Sequence, residues 1–137
     1  MVKLIVGVKG TWKTKMLVDM ANEALIASPG CVVCIEKGEK FRTNVNHAVR
    51  LVNTTHYDIE TAGSLYGLIC GLYAGNYDIT HVFIDSALKI CKKDMAAFAD
   101  FVKRVDAISD KHGFKCIMTA SSEKEALPED IKKYLAE

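Results

Sequence analysis

Short apolar runs rich in β-branched residues alternate with segments of helical period, and this alternation constrains the fold more than any other feature of the chain. The run at residues 2–6 is closed by Gly7 and reads as a buried strand leading into a glycine-bearing loop. From Lys13 onward, Met16, Leu17, Met20, Ala21, Ala24 and Leu25 recur at helical spacing until Ser28, Pro29 and Gly30 stop them. Residues 31–35 form a second run, too short for a stable helix and apolar on both sides, as a strand covered on two faces requires. Residues 37–47 are polar, lack a helical period and are expected to form a loop. A third strand is expected around residues 48–53, and a connection this short is marginal for a parallel crossover, which leaves its direction open.

Residues 61–74 read as a helix in which Gly63, Gly67, Gly71 and Gly75 repeat along one slowly drifting stripe. Each interior glycine costs about 1 kcal/mol relative to alanine, so the stripe is expected to be compensated by close approach to the sheet or a neighbouring helix. A homodimer seam is the alternative. Residues 81–85 form a strand ending in the carboxylate of Asp85. Phe98, Phe101, Val102, Val105 and Ile108 share one face of a helix over residues 94–112, terminated by Gly113. A strand at 115–120, the polar Ser121 and Ser122 and a short helix from about Glu129 complete the pattern. The expected architecture is α/β: an open, mainly parallel sheet of about five strands with helices on both faces, taking ligands beyond the carboxyl ends of its strands.

The length of 137 residues suits a single domain spanning 1–137. A formal charge of +1 gives no field that would imply a nucleic-acid partner, and the longest uncharged run, residues 61–77, falls short of a membrane-spanning helix. Five cysteines, an odd number set mostly in apolar segments, suggest reduced thiols and a cytoplasmic protein without disulfides. Cys31 and Cys34 have C-x-x-C spacing, but in a strand that separation points them to opposite faces, so they are expected in the core rather than on zinc. His47, His56, His81 and His112 show no metal-ligand spacing and receive no catalytic role.

The loop closing the first strand reads Gly7, Val8, Lys9, Gly10, Thr11, Trp12, Lys13, Thr14, which matches the phosphate-binding pattern G-x-x-x-x-G-K-[ST] except at Trp12, where the pattern has glycine. A strand–loop–helix junction surrounds an anion with backbone N–H groups and the positive end of a helix dipole. In that pattern Lys13 reaches the β- and γ-phosphates and the Thr14 hydroxyl takes magnesium, with Lys15 beside them. Asp85, after an apolar strand, suits the second magnesium position. These residues resemble the P-loop nucleoside triphosphatases. With residues 34–38, 74–80 and 88–91, they are similar to a family of small, single-domain bacterial P-loop ATPase-like proteins of poorly defined function. The resemblance covers nearly the whole chain and implies a three-layer P-loop fold with ATP or ADP and magnesium as ligands, without implying a substrate or process.

Trp12 disturbs that reading in one of two ways. An indole pointing inward occupies ligand volume, and a glycine-only backbone there adds strain of about 1–3 kcal/mol. A loss of about 3 kcal/mol takes a micromolar affinity to roughly 100 micromolar. Pointing outward, the ring leaves the loop intact and covers its mouth. Ser86 follows Asp85 where many hydrolysing members carry glutamate, so hydrolysis is expected to be slow. Glu36 is the remaining candidate to orient a water, provided its strand lies beside the first one. Thr119, Ser121 and Ser122 would meet a γ-phosphate or be ordinary strand-exit hydroxyls, and Lys37, Lys40 and Arg42 would supply a phosphate-directed cation or simply be solvated. Weak MgATP or MgADP binding with slow ATPase activity is the leading expectation. The rivals are a non-catalytic interaction module that has kept the fold and, ranked last, a small-molecule kinase.

Overall fold

The computed structural model describes residues 1–9 and 12–136. Gly10 and Thr11, expected in the phosphate loop, lie outside the described residues. Strands β1 (Val2–Gly7), β2 (Cys31–Glu36), β3 (Arg50–Asn53), β4 (Ile79–Ile84) and β5 (Lys115–Ser121) form one all-parallel sheet in the order β1-β5-β4-β2-β3. Their continuous apolar runs follow from burial on both faces. Leu4, Val6, Val33, Ile35, Val82, Ile84 and Met118 point to one core. Ile5, Val32, Cys34, Phe83 and Ile117, at the alternate positions, point to the other. Helix α1 (Trp12–Ala27) closes the second core through Leu17, Val18 and Ala21. Helix α2 (Ala62–Gly75), the single turn α3 (Ala87–Ile90) and helix α4 (Met95–His112) close the first through Leu65, Ile69, Leu88, Phe98, Phe101 and Val102.

The ends of these helices follow local chemistry. Thr61 and Ser64 cap α2 reciprocally, each side chain taking the other's backbone N–H. Asp94 accepts the Ala97 N–H at the start of α4, and Gly113 ends that helix at φ 81°, in the left-handed region that favours glycine. Beyond the 3-10 helix Glu129–Tyr134, Leu135 bridges Leu4, and the Ala136 N–H donates to the Leu4 carbonyl at 2.8 Å. The open edge of β1 is thereby partly covered.

Several expectations are corrected. The third strand starts at Arg50, and its direction is parallel to β2. The connection before it holds a 3-10 turn, Lys40–Thr43, whose Phe41 is buried beneath the sheet's α1 side. The last helix is 3-10 rather than α. Cys31 and Cys34 face opposite cores, as their strand spacing requires, and among the described residues all five cysteines are free. Among the same residues no helix is long and apolar enough to cross a membrane.

The glycine stripe of α2 differs most from expectation. Gly63, Gly67, Gly71 and Gly75 are exposed, and a Cβ added to any of them would meet nothing within 4 Å. The helix turns Leu65 and Ile69 inward instead, because burying those side chains removes far more apolar surface from water than burying glycine. Tight backbone approach occurs elsewhere, at Gly30, where a Cβ would collide with the Asp78 carbonyl oxygen. The double variant Gly67→Ala/Gly71→Ala should therefore gain about 1–2 kcal/mol, read as a higher denaturant midpoint at unchanged slope. Destabilisation would show that these positions are covered in solution.

Candidate functional site

Parallel strands bring their carboxyl ends to one rim, and Asp85 stands there at the end of the central strand β4 with 1% of its surface exposed. A carboxylate buried this far needs partners on both oxygens. Thr119, from β5, donates its hydroxyl to Oδ1 at 2.9 Å. Thr14, on the first turn of α1, lies 3.2 Å from Oδ1 and 3.3 Å from Oδ2. The Lys40 ammonium, on the β2–β3 connection, pairs with Oδ2 at 3.5 Å. Asp85's own N–H donates to the Ile35 carbonyl at 2.9 Å, fixing β4 against β2. The chain then turns through Ser86 at φ 56°, a left-handed conformation held by a 2.7 Å bond from the Ser86 N–H to the Thr119 hydroxyl. Thr119 thus serves the carboxylate and the strained turn behind it.

Across the rim, β1 ends at Gly7, whose carbonyl accepts the Ser122 N–H at 3.1 Å. Val8 and Lys9 are exposed beyond it. Lys13 is 3% exposed, donates to the Val8 carbonyl at 2.8 Å and lies 5.3 Å from the centroid of the Trp12 ring. The Trp12 indole is half-exposed and folds back against Gly7, where an added Cβ would collide with Cζ2 of the ring. The ring therefore rests on the residues that the sequence pattern reserves for phosphate. Lys15 is exposed and pairs with Asp19 at 3.3 Å.

Beside these residues opens a cleft of about 1080 Å³, whose lining includes Thr14, Ser86, Ser121 and Ser122. Five lysines also line it: Lys9, Lys15, Lys40, Lys89 and Lys93. Among the described residues the one acid on the lining, Asp19, is already paired with Lys15. The lining is thus rich in lysine even though the chain carries only +1 overall. Lys13 lies outside this lining.

Glu36 does not stand where the sequence reading required. Strand β2 is separated from β1 by β4 and β5, so Glu36 does not flank the loop after β1. It is buried, and its two oxygens accept the N–H groups of Lys40 at 3.1 Å and Phe41 at 2.8 Å. Burial pushes its carboxyl above the usual range, against the pull of those two N–H bonds and of Lys40, and the Asp85 charge raises it further. The nearby Cys34 thiol is pushed up to about 12, first by burial and then by the charges of Glu36 and Asp85. Both effects report one low-dielectric pocket of acidic groups behind the rim.

The structure brings together Thr14, Asp85 and Thr119 from three distant segments, and it adds Lys40, Lys89 and Lys93, of which the sequence marks Lys40 alone as a candidate cation and Lys89 only within the resembling segment 88–91. Lys89 and Lys93 belong to α3 and the turn after it, a segment too short to leave a periodic pattern. Lys37 and Arg42 are exposed and do not line the cleft, and Arg42 pairs with Glu39 at 3.4 Å. In comparisons with known proteins the chain matches no family model and no curated protein.

Replacing Thr119 by valine keeps the shape but leaves the Ser86 N–H unpaired and removes a donor from Asp85. Thr119→Val should cost about 1–3 kcal/mol in equilibrium denaturation. Ser122→Ala, whose hydroxyl donates only to the carbonyl of its neighbour Glu123 at 2.9 Å, should stay within about 0.5 kcal/mol of the parent.

Proposed function

We propose that the chain is a P-loop nucleoside-triphosphatase-like protein of three-layer fold that binds ATP or ADP with magnesium, weakly because of Trp12. The observation that carries this reading is the meeting of Thr14 and Asp85, 71 positions apart in the chain, within 3.3 Å at the mouth of a lysine-lined cleft. A hydroxyl on the first turn of a helix and an ionised carboxylate at a strand end are oxygen donors that suit magnesium. No group of three or more His, Cys, Asp or Glu side chains among the described residues is arranged to hold a metal by itself. A divalent cation at Thr14 and Asp85 would thus draw its other ligands from phosphate oxygens and water, as magnesium commonly does.

Each of the chain's own groups has a part in this reading. Gly7 shapes the start of the loop, with Val8, Lys9 and Trp12 offering backbone N–H groups to phosphate, and Gly10 and Thr11 belong to the same sequence motif. Lys13 neutralises phosphate charge once it leaves the Val8 carbonyl, and Lys15 adds charge at the rim. Catalysis of this type rests on positioning and charge neutralisation. Glu36 is engaged by two backbone donors and Ser86 follows Asp85, so no free carboxylate orients a water, and hydrolysis is slow. The indole must swing off Gly7 to admit phosphate, and that displacement weakens binding.

The second reading, a non-catalytic interaction module, is favoured by one feature: the indole packs on Gly7 and Lys13 bonds to the Val8 carbonyl, so these residues are engaged by the chain itself. A titration separates the two. Trp12 is the only tryptophan, so MgATP and MgADP should change its fluorescence, with affinity in the range of tens to hundreds of micromolar. By calorimetry, Trp12→Gly should bind about tenfold or more tightly, the equivalent of about 1.4 kcal/mol or more. Absence of magnesium-dependent binding by both proteins at millimolar nucleotide would discard the nucleotide reading in favour of the module.

A further inference from the structure

We propose that Lys40 is a resident counter-cation of the site: its ammonium neutralises Asp85 in the ligand-free protein, yields that place to a divalent cation and then engages the terminal phosphate of a nucleoside triphosphate. The inference rests on the nucleotide reading for its second half and on the ion pair alone for its first.

The pair is unequal. The Asp85 side chain is 2% exposed and immobilised by two threonine hydroxyls, whereas that of Lys40 is 62% exposed and reaches in from solvent. Lys40 is presented by a built turn rather than by a loose loop. Glu36 receives the N–H groups of both Lys40 and Phe41, and the Phe41 ring is buried in the core under α1. The backbone of Lys40 is therefore held while its four-carbon stem remains free to turn. Lysine carries its charge as a compact, hydrated ammonium, which can take the place of a small metal ion beside a carboxylate.

Competition follows from charge. Asp85 cannot stay buried and ionised without a cation or an equivalent set of donors. A divalent ion bound to its oxygens supplies more charge than the ammonium, and the two cations repel at such short range. Once displaced, Lys40 finds Asp19 as the one acid among the described residues of the cleft lining, and Asp19 is already paired with Lys15. The remaining anion it can serve is the ligand itself. Lys40 lines the same cleft as Thr14, so the ammonium moves toward ligand phosphate without leaving the site.

The test uses the whole chain with manganese alone as probe, followed by paramagnetic resonance of the free ion, in the parent, Lys40→Met and Lys40→Arg. Loss of the competing ammonium in Lys40→Met should tighten manganese binding about five- to tenfold in the absence of nucleotide, while Lys40→Arg stays near the parent. The same Lys40→Met variant should lose about five- to tenfold in MgATP affinity and little in MgADP affinity. Manganese binding that is unchanged, weaker or undetectable in Lys40→Met overturns the proposal, as does an equal loss for both nucleotides. Nucleotide binding by the parent or by Trp12→Gly, together with either of those results, leaves the nucleotide reading standing. Tightened manganese binding with no nucleotide binding by either protein supports the counter-cation and removes the nucleotide reading.

Discussion

The buried carboxylate of Asp85 organises this molecule. An ionised group 1% exposed at the end of a central strand is unfavourable by several kcal/mol unless its oxygens are satisfied. Satisfying it ties together side chains from three distant segments. Thr14 ties in the start of α1, Thr119 ties in β5, and Lys40 ties in the β2–β3 connection. The apolar cores on the two faces hold the sheet and helices together whatever stands at position 85. The carboxylate adds a polar tie between the strand end, the first turn of α1 and the Lys40 side chain, while Glu36 and Phe41 hold the β2–β3 connection itself.

Trp12 acts against that arrangement. Glycine at position 7 leaves room beside the backbone, and the indole takes it, packing where a Cβ would not fit. Lys13 answers by turning its ammonium to the Val8 carbonyl, so that a buried cation keeps an acceptor in the absence of an anion. Both contacts are made within the chain itself, and any group that took the place of the indole on Gly7 or of the Val8 carbonyl on Lys13 would have to offset their loss.

The strands were legible because continuous β-branched runs have few other stable outcomes, and α4 because its apolar residues keep a clean period between Asp94 and Gly113. Asp85 was legible as the polar end of such a run. Sheet order was not, because nothing local in residues 31–36 records that β4 rather than β1 lies alongside, and the role considered for Glu36 depended on that neighbour. Periodicity placed the glycines of α2 on one stripe without saying which way the stripe faces. That is settled by competition with Leu65 and Ile69, a comparison of two faces rather than a property of either. The turn at Lys40–Thr43 escaped notice because the residue at its start, Glu39, makes no side-chain cap, and the carboxylate that takes its N–H groups is Glu36, at the end of the preceding strand.

Charge shows the same limit of sequence sums. A formal +1 describes a nearly neutral chain, yet five lysines gather at the carboxyl rim of the sheet. At the other end of the sheet the amino terminus meets Asp110 at 2.7 Å and the Val2 N–H meets Asp106 at 3.3 Å. The lysines at the rim make the potential there more positive than the total suggests. An approaching anion responds to that local potential and not to the total, and counter-ions screen it over about 8–10 Å at physiological salt. Such screening weakens attraction at a distance far more than contact inside the cleft. Long-range attraction by the rim lysines is therefore salt-sensitive, whereas the short contacts of Thr14, Thr119 and Lys40 with Asp85 are screened far less.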